Sequence, residues 1–487
     1  MQTEFQRRPR LRTNARALIL TGYSVLLAYG LPAYAQQVPL GSSTPSDASS
    51  TSIHSAAVAS PSCTPVQHWN AAMQMCAAND AAAQQTMAPP NTQSPDGPPR
   101  ADSMPVSSTL STSDRSMNSS NSSMSMNTPS GPKPKTTLMF NLNQFMVYSS
   151  TSGPRGRSRL TGPGYWMLTY GNDLTPINHL SIDIMASPEQ WTVGEKGTPQ
   201  LLQTDHIDNM HAHDTIMAFE VRDALAIGTD NNQQLTFMFA PRGEAAIGPV
   251  PFMHRESAEG NPDAPLGHSL QDGFHDASTV LGVEYRIART TAEFTAFSGQ
   301  NITQPFPLHR PDSYAVRVNQ DIDGHIGVGA SYADVLLPDD TGGTEHNQFI
   351  SAWLTTTHKI HDDTLKSSFI VGSARAGHGA FLNSLLEEAV YQRGRNNFYG
   401  RAEVLQITPA QLEVLTPSGA GNAKWVEALT VGYERSLFEK NALQLLVGGS
   451  YTKDFVPAAF QPAYGSDPSG VKIYLRLKFM ANGAVTR

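Results

Sequence analysis

The side chains best suited to bind a metal ion are 6 of the 15 histidines, which fall between positions 205 and 276. Imidazole and carboxylate groups are good ligands for Zn(II) and Cu(II). In an extended chain, side chains two residues apart point to the same side, so His211 and His213 could share one ion. The candidate ligands of a copper or zinc site are His211, His213, Asp214, His254, His268 and His275.

Two other interpretations of these histidines stay open. Buried networks of His, Asp, Arg and Gln are common in proteins, so the same residues could form a hydrogen-bonded plug without a metal. Ser257, Ser269 and Ser278 lie near the histidines in sequence, but no Gly-x-Ser-x-Gly motif accompanies them. The sequence therefore predicts no catalytic residues and no enzyme, a hydrolase being the weakest alternative. Copper and zinc are the only candidate cofactors.

Sulfur ligands are concentrated in a different part of the chain. Methionines are scattered through a polar segment, at positions 73, 75, 87, 104, 117, 124 and 126. Thioethers suit Cu(I), although compositional drift would also explain such scattered residues. Cys63 and Cys76 are the only cysteines, and in an exported segment a disulfide between them is expected. Closing so short a loop would stabilise it by about 3 kcal/mol at most.

The first 135 residues have the composition of a leader and a linker. Five arginines precede an apolar stretch at residues 17–31, and Ala33 and Ala35 form an A-x-A cleavage site. Residues 1–35 are therefore predicted to be a secretory signal peptide, with a membrane anchor as the alternative. Residues 36–135 are rich in Ser, Met and Pro and contain no Glu. This composition predicts a disordered segment, located in the periplasm, that carries the Cys63–Cys76 loop.

The overall composition excludes several classes of protein. The chain has 487 residues, 39% of them apolar, with 34 Lys and Arg against 42 Asp and Glu. A net charge of −8 gives no basic surface for nucleic acid. Two cysteines are too few for a disulfide-dense scaffold or an iron–sulfur protein. Past residue 35 no apolar run reaches about 18 residues, so a helical membrane protein is not expected.

The elements that must position the histidines are β-strands. In the last of them, Val471, Ile473 and Leu475 alternate with Lys472 and Tyr474, the period-two pattern of a strand with one apolar face. Similar alternation predicts about 16 strands, with 14 and 18 as the limits. They begin near residues 137, 163, 178, 214, 233, 277, 290, 312, 324, 346, 363, 380, 395, 424, 441 and 470.

The lengths of the connections sort into two groups. Alternate connections are short, and the others include long segments at 188–213, 242–276, 406–423 and 453–469. Short periplasmic turns and longer external loops are typical of outer-membrane barrels. Residues 136–487 are therefore predicted to form an all-β, transmembrane, antiparallel up-and-down barrel in the bacterial outer membrane. Its expected partners are outer-membrane lipid, the barrel-assembly machinery and a small solute or metal ion, and not nucleic acid.

Several short motifs give the chain a resemblance to a known family. They are SGPRG at 152–156, HAHD at 211–214, AAIGP at 245–249, PLGH at 265–268 and QPAYG at 461–465. With these motifs, residues 136–480 resemble a family of largely uncharacterised outer-membrane β-barrel proteins of Gram-negative bacteria, often encoded beside copper-handling genes. The resemblance implies the fold and the location. Where that family usually has Pro and a second His, this chain has Ala212 and Ser269, so one implied ligand is missing.

The sequence thus predicts a pore or transport protein with a polar, His-rich loop plug. A barrel of 16 strands is wide enough to hold an aqueous lumen. The first alternative is an outer-membrane protein of copper or zinc binding and resistance, and the second is an outer-membrane hydrolase.

Overall fold

The structure, a computed structural model, describes two short N-terminal strands and most of the chain from residue 136 onward. The described ranges are 67–70, 75–78, 136–228, 232–273, 277–299, 308–338, 343–415 and 421–484. Strands β1 (Gln67–Asn70) and β2 (Met75–Ala78) pair antiparallel, with Trp69 opposite Cys76. The predicted signal peptide, the rest of the predicted disordered segment, Cys63 and His275 lie outside the described residues. The Cys63–Cys76 disulfide stays a prediction.

A closed antiparallel barrel accounts for the remaining chain. The strands after β2 are β3 (Thr136–Thr151), β4 (Ser158–Thr161), β5 (Gly164–Thr175), β6 (Asn178–Ala186), β7 (Thr198–Pro199), β8 (Asn209–Met210), β9 (Ile216–Ile227), β10 (Gln233–Gly243), β11 (Ala277–Ile287), β12 (Thr290–Ser298), β13 (Ser313–Asp321), β14 (Ile326–Pro338), β15 (Thr344–Ile360), β16 (Asp363–Arg375), β17 (Leu382–Arg393), β18 (Asn396–Ile407), β19 (Lys424–Lys440), β20 (Leu443–Phe455) and β21 (Ser469–Ala484). All except β1, β2, β7 and β8 belong to the barrel, and β21 pairs with β3 to close it.

The barrel has 16 wall positions because β4 and β5 are two halves of one strand. The C-terminal part of β3 pairs with β4, while its N-terminal part pairs with β5. Pro163 stands between the two halves, and proline has no N–H to donate to a sheet ladder. The predicted number of strands is therefore confirmed, and the predicted starts lie within two residues of the observed ones or, for the interrupted strand, of β5.

The two faces of the wall differ in polarity, as the alternating sequence predicts. On β21, Ile473 points outward and is 61% exposed, whereas its neighbours Lys472 and Tyr474 point inward and are buried. The same outward apolar face continues on β19, where Leu429 and Val431 are exposed. An apolar outer surface on a closed barrel is what a wall that crosses a bilayer requires. No helix of the described residues is long and apolar enough to cross a membrane.

Short and long connections alternate between the two ends of the barrel. Two-residue turns join β11 to β12, β15 to β16 and β19 to β20, and they begin at Ala288, His361 and Asn441. These three residues have φ between 51° and 61°, the left-handed backbone that tight hairpin turns use. The long connections at the other end are 187–215, 244–276, 299–312, 408–423 and 456–468. The predicted sorting of the loops is confirmed.

The long connections contain the few helices and pack against the wall. Helix α1 is Glu189–Thr192, α2 is His268–Gln271, and α3 is Gln461–Tyr464, with single 3₁₀ turns at Phe252–His254 and Glu256–Ala258. Loop residues Ile247 and Leu270 pack with the wall residues Val280 and Phe297 in one apolar cluster. In a second cluster, the loop residue Leu266 packs with Leu405 of the wall. The apolar core of the protein therefore lies between the long loops and the wall.

Candidate functional site

The connection between β10 and β11 lies inside the barrel, and its described part, residues 244–273, is called the inner loop below. Its hydrogen bonds and ion pairs go to inward-facing side chains of the wall. They reach Thr295 on β12, Arg317 on β13, Ser331 on β14, Ser351 on β15, Ser368 on β16, Glu388 on β17, Glu403 on β18 and Lys472 on β21. These contacts join the inner loop to seven consecutive wall strands, β12–β18, and to β21.

Arg255 is the centre of the ion pairs between the inner loop and the wall. Its Nε donates to Oε1 of Glu388 at 2.5 Å, and its Nη1 donates to Oδ2 of Asp272 at 3.0 Å. The other carboxylate oxygen of Glu388 accepts a hydrogen bond of 3.0 Å from Nε of Arg401. All four side chains are buried. Because an unpaired buried charge is strongly unfavourable, each charge here holds the others in place.

A second set of ion pairs holds the middle of the inner loop. Glu259 pairs with Lys478, Asp263 pairs with Lys472, and Glu256 lies 3.4 Å from Lys366. Although burial favours the neutral acid, Lys478 and Arg476 lower the pKa of Glu259 to about 2. The carboxylate of Glu259 is therefore charged at physiological pH, so protonation does not break its ion pair with the wall.

Backbone contacts add to these ion pairs where the loop approaches the wall most closely. The carbonyl of Gly260 accepts a hydrogen bond of 2.6 Å from the Tyr474 hydroxyl, and the amide of Leu266 donates to Glu403 at 2.5 Å. At Gly248, φ is +69°, and an added Cβ would lie 2.1 Å from the carbonyl oxygen of Gln271. Only glycine fits this bend, because it combines left-handed backbone with a close backbone contact.

His213 and Glu189 form a buried pair beside the inner loop. Nδ1 of His213 lies 2.7 Å from Oε2 of Glu189, which also accepts the His213 backbone N–H at 2.8 Å. The other oxygen of Glu189 accepts from the Gly164 amide at 2.8 Å. Burial alone would raise the pKa of Glu189, but His213 and these hydrogen bonds lower it. The pair joins the two ends of the loop between β6 and β9, and the hydrogen bond from Gly164 of β5 attaches this loop to the wall.

His268 and His254 have contrasting environments. Nδ1 of His268 lies 2.5 Å from Oδ1 of Asp272, and this carboxylate raises the pKa of His268 although burial opposes it. His254 instead lies edge-on to Tyr165, with ring centroids 4.6 Å apart, and its Nε2 is 3.2 Å from the sulfur of Met185. Burial, and the nearby His213, lower the pKa of His254 to about 4. His268 is therefore charged more readily than an ordinary histidine, and His254 is neutral.

The structure brings together three of the six predicted metal ligands. His211, His213 and His268 line one cleft of about 220 Å³, together with Asp205 and Met210. The predicted ligands His254 and Asp214 have other partners: His254 contacts Met185, and Asp214 pairs with Arg242 at 2.6 Å. His275 lies outside the described residues. Among the residues that the structure describes, no three His, Cys, Asp or Glu side chains are grouped closely enough to hold a metal ion. The metal site therefore stays a prediction.

The serines near the histidines take part in other hydrogen bonds. Ser257 bonds to Ser368 at 2.6 Å and to Glu388 at 2.9 Å. Ser269 lies 3.5 Å from the hydroxyl of Thr204. The contacts of Ser257 attach the inner loop to the wall, and that of Ser269 joins it to the loop between β6 and β9. None of these contacts places an imidazole against the hydroxyl of Ser257 or Ser269.

Sequence reasoning missed the wall residues that anchor the inner loop. Glu388, Arg401 and Lys472 are buried at inward-facing positions of β17, β18 and β21, where the alternating pattern predicts only that the inner face is polar. The available signal was that charges of both signs occupy these positions, which indicates ion pairing inside the lumen. Nothing in the local sequence indicates that the partners are Arg255 and Asp263.

The fold and the loop geometry define a class, namely a closed 16-strand antiparallel barrel with a long loop packed inside it. The sequence matches no protein-family model and no curated protein. Similar solved structures include the anion-selective porin from Comamonas acidovorans, with 12% identity, a TM-score of 0.43, and 71% of this chain and 99% of that chain covered. OmpF of Salmonella typhi in complex with daunomycin has 10% identity, a TM-score of 0.45, and coverage of 70% and 97%. OprB of Pseudomonas putida has 11% identity, a TM-score of 0.45, and coverage of 71% and 94%.

Proposed function

We propose that this chain is a bacterial outer-membrane pore or transport protein whose lumen is closed by the inner loop. The observation that carries the proposal is the series of hydrogen bonds and ion pairs that joins the inner loop to wall strands β12–β18 and β21. A 16-strand barrel without such a loop would hold an open aqueous lumen. The loop acts as a polar plug, and solute passes when the plug shifts.

The chemistry of the plug supports closure rather than a loose constriction. Its apolar residues Ile247, Leu266 and Leu270 are buried against the wall, and its charged residues Arg255 and Asp263 are paired there. Moving the plug would break these ion pairs, each of which costs about 3–5 kcal/mol when one partner is left behind. Passage of solute therefore requires either a ligand or a condition that compensates the lost contacts.

The location and family of the protein are part of the same proposal. The outward apolar face and the short turns at one end suit a barrel in the outer membrane. In this arrangement the short turns and the N-terminal segment lie in the periplasm. The motifs at 245–249 and 265–268, on which the family resemblance rests, belong to the inner loop. The resemblance of these motifs, at points where the plug meets the wall, supports membership of the uncharacterised outer-membrane family.

A disulfide between the plug and the wall tests the closure directly. The hydroxyls of Ser257 and Ser368 are 2.6 Å apart, so Ser257→Cys with Ser368→Cys, made in a Cys63→Ala, Cys76→Ala background, should crosslink the two. In planar bilayers, the oxidised protein should show no opening events, and reduction should restore the wild-type events. The matched control is Ser150→Cys with Ser158→Cys, whose hydroxyls are 2.8 Å apart outside the plug. Its oxidation should change nothing.

Deleting residues 246–272 provides the second measurement. The deletion should convert rare or small conductance into a steady, large conductance, because the lumen loses its filling. A wild-type conductance as large as that of the deletion variant would overturn the proposal. So would an oxidised plug crosslink that conducts like the reduced protein.

Metal binding is the second candidate function, and one observation favours it. In the cleft lined by His211, His213 and His268, Nδ1 of both His213 and His268 lies against a carboxylate, those of Glu189 and Asp272. Carboxylates orient metal-binding imidazoles in this way, so a metal bond would use Nε2 of each ring. Calorimetric titration of the purified protein with Cu(II) and Zn(II) tests this function.

A further inference from the structure

A second cavity lies between the loops and the wall, away from the histidine cleft. Its wall residues come from β18–β21 and, with Thr151, from β3. The loops contribute Gln200, Asp263 and Leu266. None of the predicted metal ligands lines it, so its chemistry is independent of the histidines.

The charges around this cavity do not balance. Asp263 pairs with Lys472, and Arg401 donates to Glu388 at 3.0 Å and to the carbonyl of Asp263 at 2.7 Å. Both cationic side chains that line the cavity are thus already used. The remaining carboxylates are those of Glu403 and Asp454. The cavity therefore has two acids without a matching base among the described residues.

Asp454 makes the imbalance acute. The residue is only 4% exposed, and its carboxylate has no hydrogen bond or ion pair to any described residue. Its neighbour Lys453 is turned to Asp467 at 2.7 Å. A buried carboxylate without a partner is unfavourable, so it either takes up a proton or is stabilised as the anion by a cationic or hydrogen-donating ligand in the cavity.

The side-chain oxygen of Gln200 is a third acceptor that a hydrogen-donating ligand would satisfy. Oε1 of Gln200 is buried and accepts no hydrogen bond from the described residues. Its orientation is fixed, because Nε2 of the same amide donates to the carbonyl of Ala264 at 2.7 Å. The hydroxyls of Thr430 and Thr452, which also line the cavity, bond to each other at 2.8 Å. The polar lining therefore offers several acceptors, and its one buried donor without a hydrogen bond among the described residues is Nη2 of Arg401, which lies 3.0 Å from Glu388.

The rest of the lining is hydrocarbon. Pro199, Leu201, Leu266 and Ala428 form an apolar side opposite these oxygen atoms. A bare metal ion would gain nothing from this surface, whereas a ligand with a short alkyl chain would bury it. An ammonium group supplies N–H donors and a positive charge, which match the acceptors and the two carboxylates.

We propose that this cavity binds a small organic cation, a primary alkylammonium or diamine, with its ammonium between Asp454, Glu403 and Oε1 of Gln200 and its alkyl chain against Leu201 and Leu266. The site needs the plug in place, since Leu266 belongs to the inner loop, but it does not need the plug to move. Failure of the closure experiment would leave this proposal standing.

Calorimetric titration of the full-length protein in detergent with n-butylammonium and 1,4-diaminobutane tests the proposal. Saturable binding is expected at millimolar or lower concentration. Asp454→Asn should weaken it about 10- to 100-fold, the effect of losing one charged hydrogen bond. Asp467→Asn is the matched control, because this aspartate has a side chain 81% exposed and should leave the affinity unchanged.

A loop variant guards against misfolding of the wall. Gln200→Met removes one acceptor outside the barrel strands and should weaken binding about 3- to 10-fold, the loss expected for one neutral hydrogen bond. The proposal is overturned if wild type shows no saturable heat with either amine. It is also overturned if Asp454→Asn binds the amines as tightly as wild type does, once a heat-dependent shift of its band on electrophoresis shows that the variant is folded. Binding of Mg²⁺ or Ca²⁺ in the cavity without binding of the amines would overturn it as well.

Discussion

Arg255 of the inner loop and Glu388 of the barrel wall are 133 residues apart in sequence and 2.5 Å apart in space. The same guanidinium also holds Asp272, so one arginine neutralises a wall carboxylate and a loop carboxylate together. Arg255 is therefore a central anchor of the inner loop, beside the ion pairs of Glu259 and Asp263 with the wall.

The first prediction concerns that side chain. Arg255→Leu leaves the buried carboxylates of Glu388 and Asp272 with less compensation and should destabilise the packed inner loop by about 3–5 kcal/mol. Protease cleavage within residues 244–273, followed by mass spectrometry, should become at least tenfold faster, while the barrel stays intact. Arg393→Leu is the control, because this arginine has a side chain 71% exposed and lies 3.8 Å from Asp363. Equal cleavage rates in the two variants would show that Arg255 does not anchor the loop.

The second prediction separates backbone strain from crowding at two glycines. Gly248 and Gly324 both have positive φ. A Cβ added at Gly248 would lie 2.1 Å from the carbonyl oxygen of Gln271, whereas a Cβ added at Gly324 would have no atom within 4 Å among the described residues. Gly324→Ala should cost about 1–2 kcal/mol, the strain of left-handed backbone alone. Gly248→Ala should cost clearly more, since the loop must also move away from Gln271. Thermal unfolding of both variants in the same detergent gives the comparison, and equal losses would contradict the close approach.

The third prediction concerns pH. Burial lowers the pKa of His254 from 6.5 to about 4, so its neutral form contributes stability that is complete above pH 6.5 and is lost as the pH falls towards 4. The loss is at most about 3 kcal/mol, from 1.36 kcal/mol for each pKa unit. The protection factors of residues 252–258 against hydrogen exchange, which correct for the intrinsic pH dependence of the exchange rate, should therefore fall between pH 7 and pH 4.5. His254→Phe keeps the ring against Tyr165 and should flatten that part of the pH dependence. An unchanged dependence would assign the effect to other groups.

The fourth prediction concerns the metal hypothesis. If Cu(II) or Zn(II) binds at the cleft, His211→Ala and His268→Ala should each weaken binding by about 10- to 100-fold. His254→Ala is the matched control, since this histidine lies against Met185 and Tyr165 and does not line the cleft. If wild type shows no saturable heat at micromolar metal, the histidines are plug residues. In that case His268→Ala should still lower stability by about 1–3 kcal/mol, because Asp272 loses a hydrogen bond.

The sequence by itself determined the wall of this protein. Alternation such as Val471, Ile473 and Leu475 against Lys472 and Tyr474 reflects a local requirement, since each strand must present one face to lipid and the other to the interior. Turn and loop lengths are equally local, and they separated the two ends of the barrel. The strand number and the strand starts could therefore be predicted without any knowledge of long-range contacts.

Only the tertiary structure decided what fills the lumen. Asp263 and Lys472 are 209 residues apart, and no pattern in either segment indicates that they pair. The same is true of the histidines, since His211, His213 and His268 meet only because two separate loops fold against the wall, while His254 packs on Met185 instead. Ion pairs and buried histidines select their partners by proximity and exclusion of water, and both arise only when the barrel closes around the loop.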